Sequence, residues 1–146
     1  MHNQKPLVGG IKSDKVIILL HGRGGNAREM LEFADAYLPP AHFIALETDH
    51  NEWYPFSITD KIEKDEPHLL ASLAAINRAI KETALPYSKI NILGFSQGAC
   101  LSAEFASRHP GKIRKYNCFQ WWPSRQKHQS PRRKSRRNSS VLRLFR

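Results

Sequence analysis

The chain has 146 residues, enough for one domain, and its 23 Lys and Arg against 13 Asp and Glu give a formal net charge of +10. Its two cysteines, Cys100 and Cys118, are too few for a disulfide framework and lack the spacing of a metal site, which excludes a disulfide-rich scaffold. With no apolar signal segment at its N-terminus and no stretch long enough to span a bilayer, we expect a cytoplasmic protein that uses neither metal nor cofactor.

The positive charge is concentrated at one end of the sequence. Residues 113–146 contain eleven Lys and Arg and no acidic residue, so residues 1–112 carry 12 basic and 13 acidic residues, a net charge of −1. Dense like charge with few apolar residues is typical of disorder. We therefore predict part of a globular domain over residues 1–112 and a basic, disordered tail over residues 113–146.

The first predicted element in chain order is a short buried strand, KVIILL, over Lys15 to Leu20. It leads into a glycine-rich loop with the sequence HGRGGN. Asn26 is a good N-cap, and apolar residues at helical spacing predict a helix from there to about Leu38, ended by two prolines. A phosphate-binding loop is an alternative interpretation, but the chain has no Gly-x-x-x-x-Gly-Lys-Ser/Thr pattern.

A second strand is predicted over His42 to Glu47, and a loop carrying Trp53 and Tyr54 follows it. The next segment, Glu66 to Leu85, repeats apolar residues near the helical period, at Leu69, Leu70, Leu73, Ala74, Ile76 and Ile80. Because strands alternate with helices, we predict an α/β fold with a mostly parallel sheet flanked by helices.

The stretch KINILGFSQGAC, from Lys89 to Cys100, is the most informative in the chain. An apolar strand breaks at a Gly-x-Ser-x-Gly pentapeptide and continues as a helix to Arg108, the context of a nucleophile elbow, in which a serine occupies a sharp strand-to-helix turn. Glycines at Gly94 and Gly98 let the neighbouring backbones pass without a Cβ clash. The pentapeptide alone is also compatible with an ordinary turn, but the strand before it and the helix after it favour the elbow.

Together, HGRGGN and GFSQGA, separated by a strand, a Trp-bearing loop and a long helix, resemble the phospholipase/carboxylesterase family of α/β-hydrolases, which includes acyl-protein thioesterases. The resemblance covers about residues 15–112. It implies a partial α/β-hydrolase fold without its C-terminal strands, Ser96 as the nucleophile, and an oxyanion hole built from the backbone N–H groups of Arg23 and Gln97, with Gly22 in the same loop. The substrate it implies is a small-molecule ester or thioester.

Two residues of the Trp-bearing loop have a second interpretation. In the resembled family this loop borders the acyl pocket, so Trp53 and Tyr54 are candidate substrate-pocket residues, but an aromatic pair before a proline also serves to anchor a loop to the core. The side chain of Arg23 either attracts an anionic substrate group or stays solvated while only its N–H acts, and we favour the second.

The acid and base of a Ser-Asp-His triad should follow Ser96 in this family. The sequence after Ser96 contains no aspartate, and its histidines are His109 and His128. His109 lies at the predicted end of a helix before a proline, where a structural role suffices. His128 has no strand before it and no acidic neighbour. We therefore expect the chain to be inactive or nearly so.

Three interpretations of the tail remain. Its basic residues and its aromatic residues Phe119, Trp121 and Trp122 suit a non-catalytic protein that binds single-stranded nucleic acid, and RRKSRR resembles a localisation cluster. Alternatively, the tail is translated out of frame. Trp121 to Pro123 must be encoded TGG-TGG-CCN, which reads Gly-Gly from the second base. Only this Gly-Gly is forced by the code, but one of the permitted shifted translations gives a strand followed by Ser-Gly-Gly, as the family has after its elbow helix.

A frameshift after Lys112 is the interpretation we favour. Lys112 and Ile113 can be encoded AAA-ATA, where one inserted base would cause the slip, and Asn138 to Arg146 permits a second family-like strand in the shifted frame. Truncation of the hydrolase sheet would leave Ile90 to Leu93 as an unpaired edge strand. We expect such a chain to be marginally stable.

Overall fold

The computed structural model describes residues 4–55, 62–110 and 116–119. Its elements follow the predicted alternation, with short 3₁₀ turns at Asp49–Asn51 and Tyr87–Lys89. In chain order they are β1 (Leu7–Gly10), β2 (Val16–Leu20), α1 (Ala27–Tyr37), β3 (His42–Leu46), α2 (Ile62–Glu82), β4 (Ile90–Phe95), α3 (Gln97–Arg108) and β5 (Tyr116–Phe119).

The strands form one sheet in the order β1-β3-β2-β4-β5. All neighbouring pairs are parallel except β1 and β3, so the predicted mostly parallel sheet is confirmed. Strand β1 was not predicted, because its sequence LVGG contains two glycines, which are depleted in strands, and only two apolar residues, too few to form a pattern. It lies at the edge of the sheet, where pairing to β3 alone is enough to define it.

Strand β2 is buried along its whole length because helices cover both faces of the sheet. Ile17 and Leu19 pack against Met30 and Ala34 of α1. The opposite face packs against α2 and α3 through Val16, Ile18, Leu20, Leu69, Leu73, Ile76, Ile80, Leu101 and Phe105. The predicted apolar face of α2 is correct at four of six positions, but Leu70, which is 49% exposed, and Ala74, which is also exposed, fall outside the sheet-facing stripe.

The expectation that Ile90 to Leu93 would be an unpaired edge is wrong. Strand β5 pairs in parallel with β4, with Ile92 opposite Tyr116 and Phe95 opposite Phe119. The sequence YNCF supplies the aromatic residues that favour strands, at the one apolar stretch near the start of the predicted tail. The sheet therefore extends beyond the predicted boundary at Lys112.

The rest of the predicted tail, residues 113–115 and 120–146, lies outside the described residues, so its disorder stays a prediction. His128, Trp121 and Trp122 are part of that segment. Within the described ranges, no helix combines the length and the apolar character needed to cross a membrane.

Candidate active site

Ser96 lies at the turn between β4 and α3, at the carboxyl edge of the sheet. Its φ of 50° and ψ of −112° are unusual for a residue with a side chain, and it is the N-cap of α3 without making a side-chain capping hydrogen bond. Backbone conformations of this kind cost about 1–3 kcal/mol each. The turn therefore exposes Ser96 to solvent at an energetic cost that a simple connection would avoid.

The two glycines of the pentapeptide are required by close packing. A Cβ on Gly94 would overlap the backbone of Gly98 in the first turn of α3. A Cβ on Gly98 would overlap Leu20 O and lie 2.6 Å from His21 O, at the end of β2. The start of α3 thus presses against both its own strand and the neighbouring strand, which fixes the position of Ser96.

The loop that follows β2 lies beside Ser96. A Cβ on Gly22 would be only 3.3 Å from Ser96 Cβ and 3.2 Å from Phe95 O. The peptide group that joins Gly22 to Arg23 therefore begins directly beside the Ser96 side chain. The structure brings together three of the predicted residues, Gly22, Arg23 and Ser96, although they come from segments more than 70 residues apart.

The side chain of Gln97 is directed away from this point and into the protein. Its Oε1 accepts a hydrogen bond from Trp53 N–H at 2.9 Å, and its Nε2 donates to Tyr54 O at 2.8 Å. Both polar ends are satisfied by backbone of the Trp-bearing loop. Any contact of Gln97 with a ligand at Ser96 would thus be made by its backbone N–H, at the first turn of α3.

Arg23 holds the same loop from the other side. Its Nη1 donates to Glu52 Oε2 at 2.9 Å and to Pro55 O at 3.0 Å, and its Nη2 donates to Tyr54 O at 3.0 Å. The side chain is 45% exposed, so it stays partly solvated, but its donors are not left to solvent. The guanidinium instead uses its fixed fork of donors to bind backbone carbonyls.

Two roles were considered for Trp53, a substrate-pocket residue and an anchor of its loop, and its contacts are those of an anchor. Its side chain has no exposed surface, its Nε1 donates to His21 O at 2.8 Å, and its carbonyl accepts from Ser72 Oγ of α2 at 2.7 Å. Its ring stacks on that of His21 with centroids 5.0 Å apart. Tyr54 is half-buried against the same core, and its pocket role stays a prediction.

His21 and Glu47 form a buried network that the sequence did not reveal. His21 is 1% exposed; its Nδ1 lies 2.7 Å from Gly22 O, and its Nε2 lies 3.3 Å from Thr48 Oγ1 and 3.4 Å from Glu47 Oε1. Glu47 Oε2 also accepts from Ala27 N–H at the start of α1. The signal that was available is the histidine at the end of a buried strand, where a polar side chain needs partners.

Comparison with known proteins agrees with this geometry. The sequence matches the family model of the alpha/beta hydrolase fold over residues 15–117, which is more than half of the chain. The chain belongs to the α/β-hydrolase family.

Solved structures extend the likeness. This α/β hydrolase is similar to a phospholipase/carboxylesterase from Dyadobacter fermentans, with a TM-score of 0.73 and 29% sequence identity over 79% of this chain and 58% of that chain. A carboxylesterase from Mesorhizobium loti gives a TM-score of 0.58 and 27% identity over 73% of this chain and 55% of that chain.

The Bacillus cereus carboxylesterase shares the fold at 20% identity, with a TM-score of 0.62 over 85% of this chain and 63% of that chain. This chain therefore spans less than two thirds of the length of these relatives. A search of curated protein sequences gave no match.

The described part of this α/β hydrolase brings no acid and base to Ser96. His109, which follows Ser96 in the sequence, is the C-cap of α3, with its Nδ1 2.8 Å from Phe105 O and its ring stacked on Phe105. The twelve residues of α3 separate it from Ser96, which places the two residues about 20 Å apart at about 1.5 Å per residue. These contacts agree with the structural role expected for His109.

Proposed function

We propose that this chain carries the nucleophile and oxyanion hole of a serine hydrolase of carboxylic esters or thioesters. The observation that carries the proposal is the strained, exposed Ser96 on a strand-to-helix turn, with the Gly22 loop against it. In the reaction, Ser96 Oγ would attack the carbonyl carbon, expel the alcohol or thiol, and form an acyl-enzyme. Water would then release the carboxylic acid and regenerate the serine.

The oxyanion of the tetrahedral intermediate would bind the N–H groups of Arg23 and Gln97. Gln97 N–H is the first N–H of α3, a position that has no carbonyl four residues back within the helix to bind. Arg23 N–H belongs to the peptide next to Ser96. Each donor of this kind typically contributes about 3 kcal/mol to catalysis. The dipole of α3 adds a favourable field for the same negative charge.

We propose further that the sequence is frameshifted after Lys112 and that the chain as given turns over poorly. Proton transfer from Ser96 needs a base, and the sequence after Ser96 offers only His109 and His128 and no aspartate. Loss of the base costs several orders of magnitude, leaving about 10³–10⁴-fold acceleration from binding and the oxyanion hole. Sequencing the DNA at the codons for Lys112 and Ile113 tests the frameshift directly.

The activity is tested with short p-nitrophenyl esters and a fluorophosphonate, on the chain as given and on one with the shifted frame restored. We expect the restored chain to hydrolyse the esters without added metal and to form a phosphonyl adduct on Ser96 rapidly, whereas the chain as given, which lacks the base, should form the adduct only slowly. The Ser96→Ala variant should lose both, whereas Ser107→Ala, on the exposed far end of the same helix, should behave as the parent does. Equal hydrolysis by the restored chain and its Ser96→Ala variant would overturn the proposal.

The alternative function, nucleic-acid binding by the basic tail, predicts a different result. Oligonucleotide affinity would then fall steeply with salt and also depend on Trp121 and Trp122, because stacking contributes about 1–3 kcal/mol per base. Binding that persists in a variant with both tryptophans replaced by alanine would indicate an unspecific polycation.

A further inference from the structure

We propose that His21 is a positioning residue for the oxyanion hole, acting by orienting the backbone N–H of Arg23. The inference rests on the proposed function, because it assigns to His21 a role toward a donor that the hydrolase mechanism uses. His21 does not contact the place of the reacting atoms. Its effect passes through a single peptide group.

The peptide between Gly22 and Arg23 contains both the carbonyl that His21 binds and the N–H that the oxyanion would bind. A trans peptide is planar, so its C=O and its N–H point in opposite directions and turn together. His21 Nδ1 donates to Gly22 O at 2.7 Å, and Gly25 N–H donates to the same oxygen at 3.0 Å. Any rotation that moved the oxygen off its donors would turn Arg23 N–H by the same angle.

Of these two donors, His21 ties the peptide to the core. Gly25 belongs to the same loop and moves with it. The imidazole is 1% exposed and stacked on the fully buried Trp53, whose Nε1 also binds His21 O. The peptide on each side of Gly22 is thus held by a buried aromatic ring, and Gly22 itself lies against Ser96.

The partners of the ring also assign its tautomer. Because a carbonyl only accepts, Nδ1 carries the hydrogen that binds Gly22 O. In the neutral ring, Nε2 then accepts from Thr48 Oγ1 at 3.3 Å, with Glu47 Oε1 nearby at 3.4 Å. The hydrogen on Nδ1 is therefore assigned by Gly22 O, while the other ring nitrogen is held by Thr48, which follows β3 and does not belong to the oxyanion loop.

Two substitutions separate positioning from packing. His21→Asn places an amide donor near the position of Nδ1 but loses the stacked ring, whereas His21→Phe keeps a stacked ring and loses the donor. If His21 only packs, the Phe variant should work better than the Asn variant. If His21 positions Arg23 N–H, the order reverses.

The first measurement is the rate of Ser96 phosphonylation by a fluorophosphonate in the full chain, followed by intact mass. We expect His21→Phe to react at least about tenfold more slowly than the parent, since misplacement of a catalytic group by about 1 Å costs up to about a hundredfold. His21→Asn should stay within about threefold of the parent. The matched control is His109→Phe, which removes the same kind of bond, Nδ1 to a backbone carbonyl, at the far end of α3. It should leave the rate unchanged.

The second measurement needs no reaction. Residual dipolar couplings of ¹⁵N-labelled protein report the orientation of the Arg23 N–H relative to the sheet. This orientation should change in His21→Phe and be retained in His21→Asn. If neither this chain nor the one with the restored frame is phosphonylated, the proposed function fails while the couplings still decide the role of His21. An unchanged coupling in His21→Phe, or a Phe variant that reacts as fast as the parent, overturns the positioning role. If His21→Phe does not fold, His21→Gln, whose amide reaches the Nε2 position only, takes its place.

Discussion

Helices α1 and α3 begin at the same edge of the sheet, but their first turns are built in opposite ways. At α1, Asn26 is in an extended conformation, its side chain accepts from Glu29 N–H at 2.9 Å, and Glu47 accepts from Ala27 N–H at 3.0 Å. At α3, Ser96 has a φ of 50° and makes no capping bond with its side chain. One helix start is completed by protein side chains, and the other is strained and exposed.

The difference indicates which helix start serves stability and which serves function. The first N–H groups of a helix need acceptors, and a helix that serves only the fold supplies them, as α1 does. Strain without a local compensating bond persists where the surrounding packing imposes it. At α3 that packing comes from Gly94 and Gly98.

The largest expected effect comes from breaking the packing that holds α3. The Cβ of Gly98→Ala would overlap Leu20 O, which is backbone and has no room to move aside. We expect a loss of about 3 kcal/mol or more of unfolding free energy, measured by urea denaturation. Gly24→Ala is the control on the loop leading to α1. Its φ is 79° but nothing lies within 4 Å of the new Cβ, so about 1–2 kcal/mol is expected. Equal losses in the two variants would contradict the packing argument.

The second effect tests the cap of α1. Asn26→Ala removes the acceptor for Glu29 N–H and should lower the unfolding free energy by about 1 kcal/mol. Ser96→Ala is the matched substitution at the N-cap of α3. Because Ser96 makes no side-chain capping bond, it should change stability by less than about 0.5 kcal/mol. A loss at Ser96 as large as that at Asn26 would erase the distinction between the two helix starts.

The third effect has the opposite sign. Ser96→Gly relieves a conformation that costs about 1–3 kcal/mol, while glycine adds about 0.4–1 kcal/mol of unfolded-state entropy. We expect a net gain of about 0.5–1 kcal/mol in unfolding free energy, together with loss of phosphonylation. Thermal and urea unfolding of Ser96→Gly and Ser96→Ala, side by side, measure the strain. A glycine variant no more stable than the alanine variant would show that the turn is not strained.

Whether a feature of these two helix starts could be predicted depends on how far apart in the sequence its interacting residues lie. The elbow, its glycines and the cap at Asn26 could be predicted because each depends on residues adjacent in the sequence and on hydrophobic periodicity. The hydrogen bonds of Gln97 to the Trp53 loop span more than 40 residues, and no local pattern encodes them. The same is true of Arg23, whose side chain looked solvated in sequence because its acceptors are backbone carbonyls of a distant loop.

The smallest expected change in unfolding free energy comes from a surface ion pair at the opposite edge of the sheet, and it is a baseline for the larger changes above. Lys89 Nζ donates to Asp14 Oδ2, joining the residues before β4 and β2, and this hydrogen bond and charge hold the pKa of Asp14 below its ordinary value of 3.8. A carboxyl with a lowered folded-state pKa adds stability above its unfolded pKa and loses it as the pH falls through the folded value. Because the pair is solvent-exposed, the contribution is small and screened by salt. We expect Asp14→Asn to be slightly less stable than the parent at pH 7, to converge with it in acid or high salt, and to leave the difference between Asn26→Ala and Ser96→Ala unchanged. A deficit that persisted at pH 2 would show that Asp14 acts through packing and not through its charge.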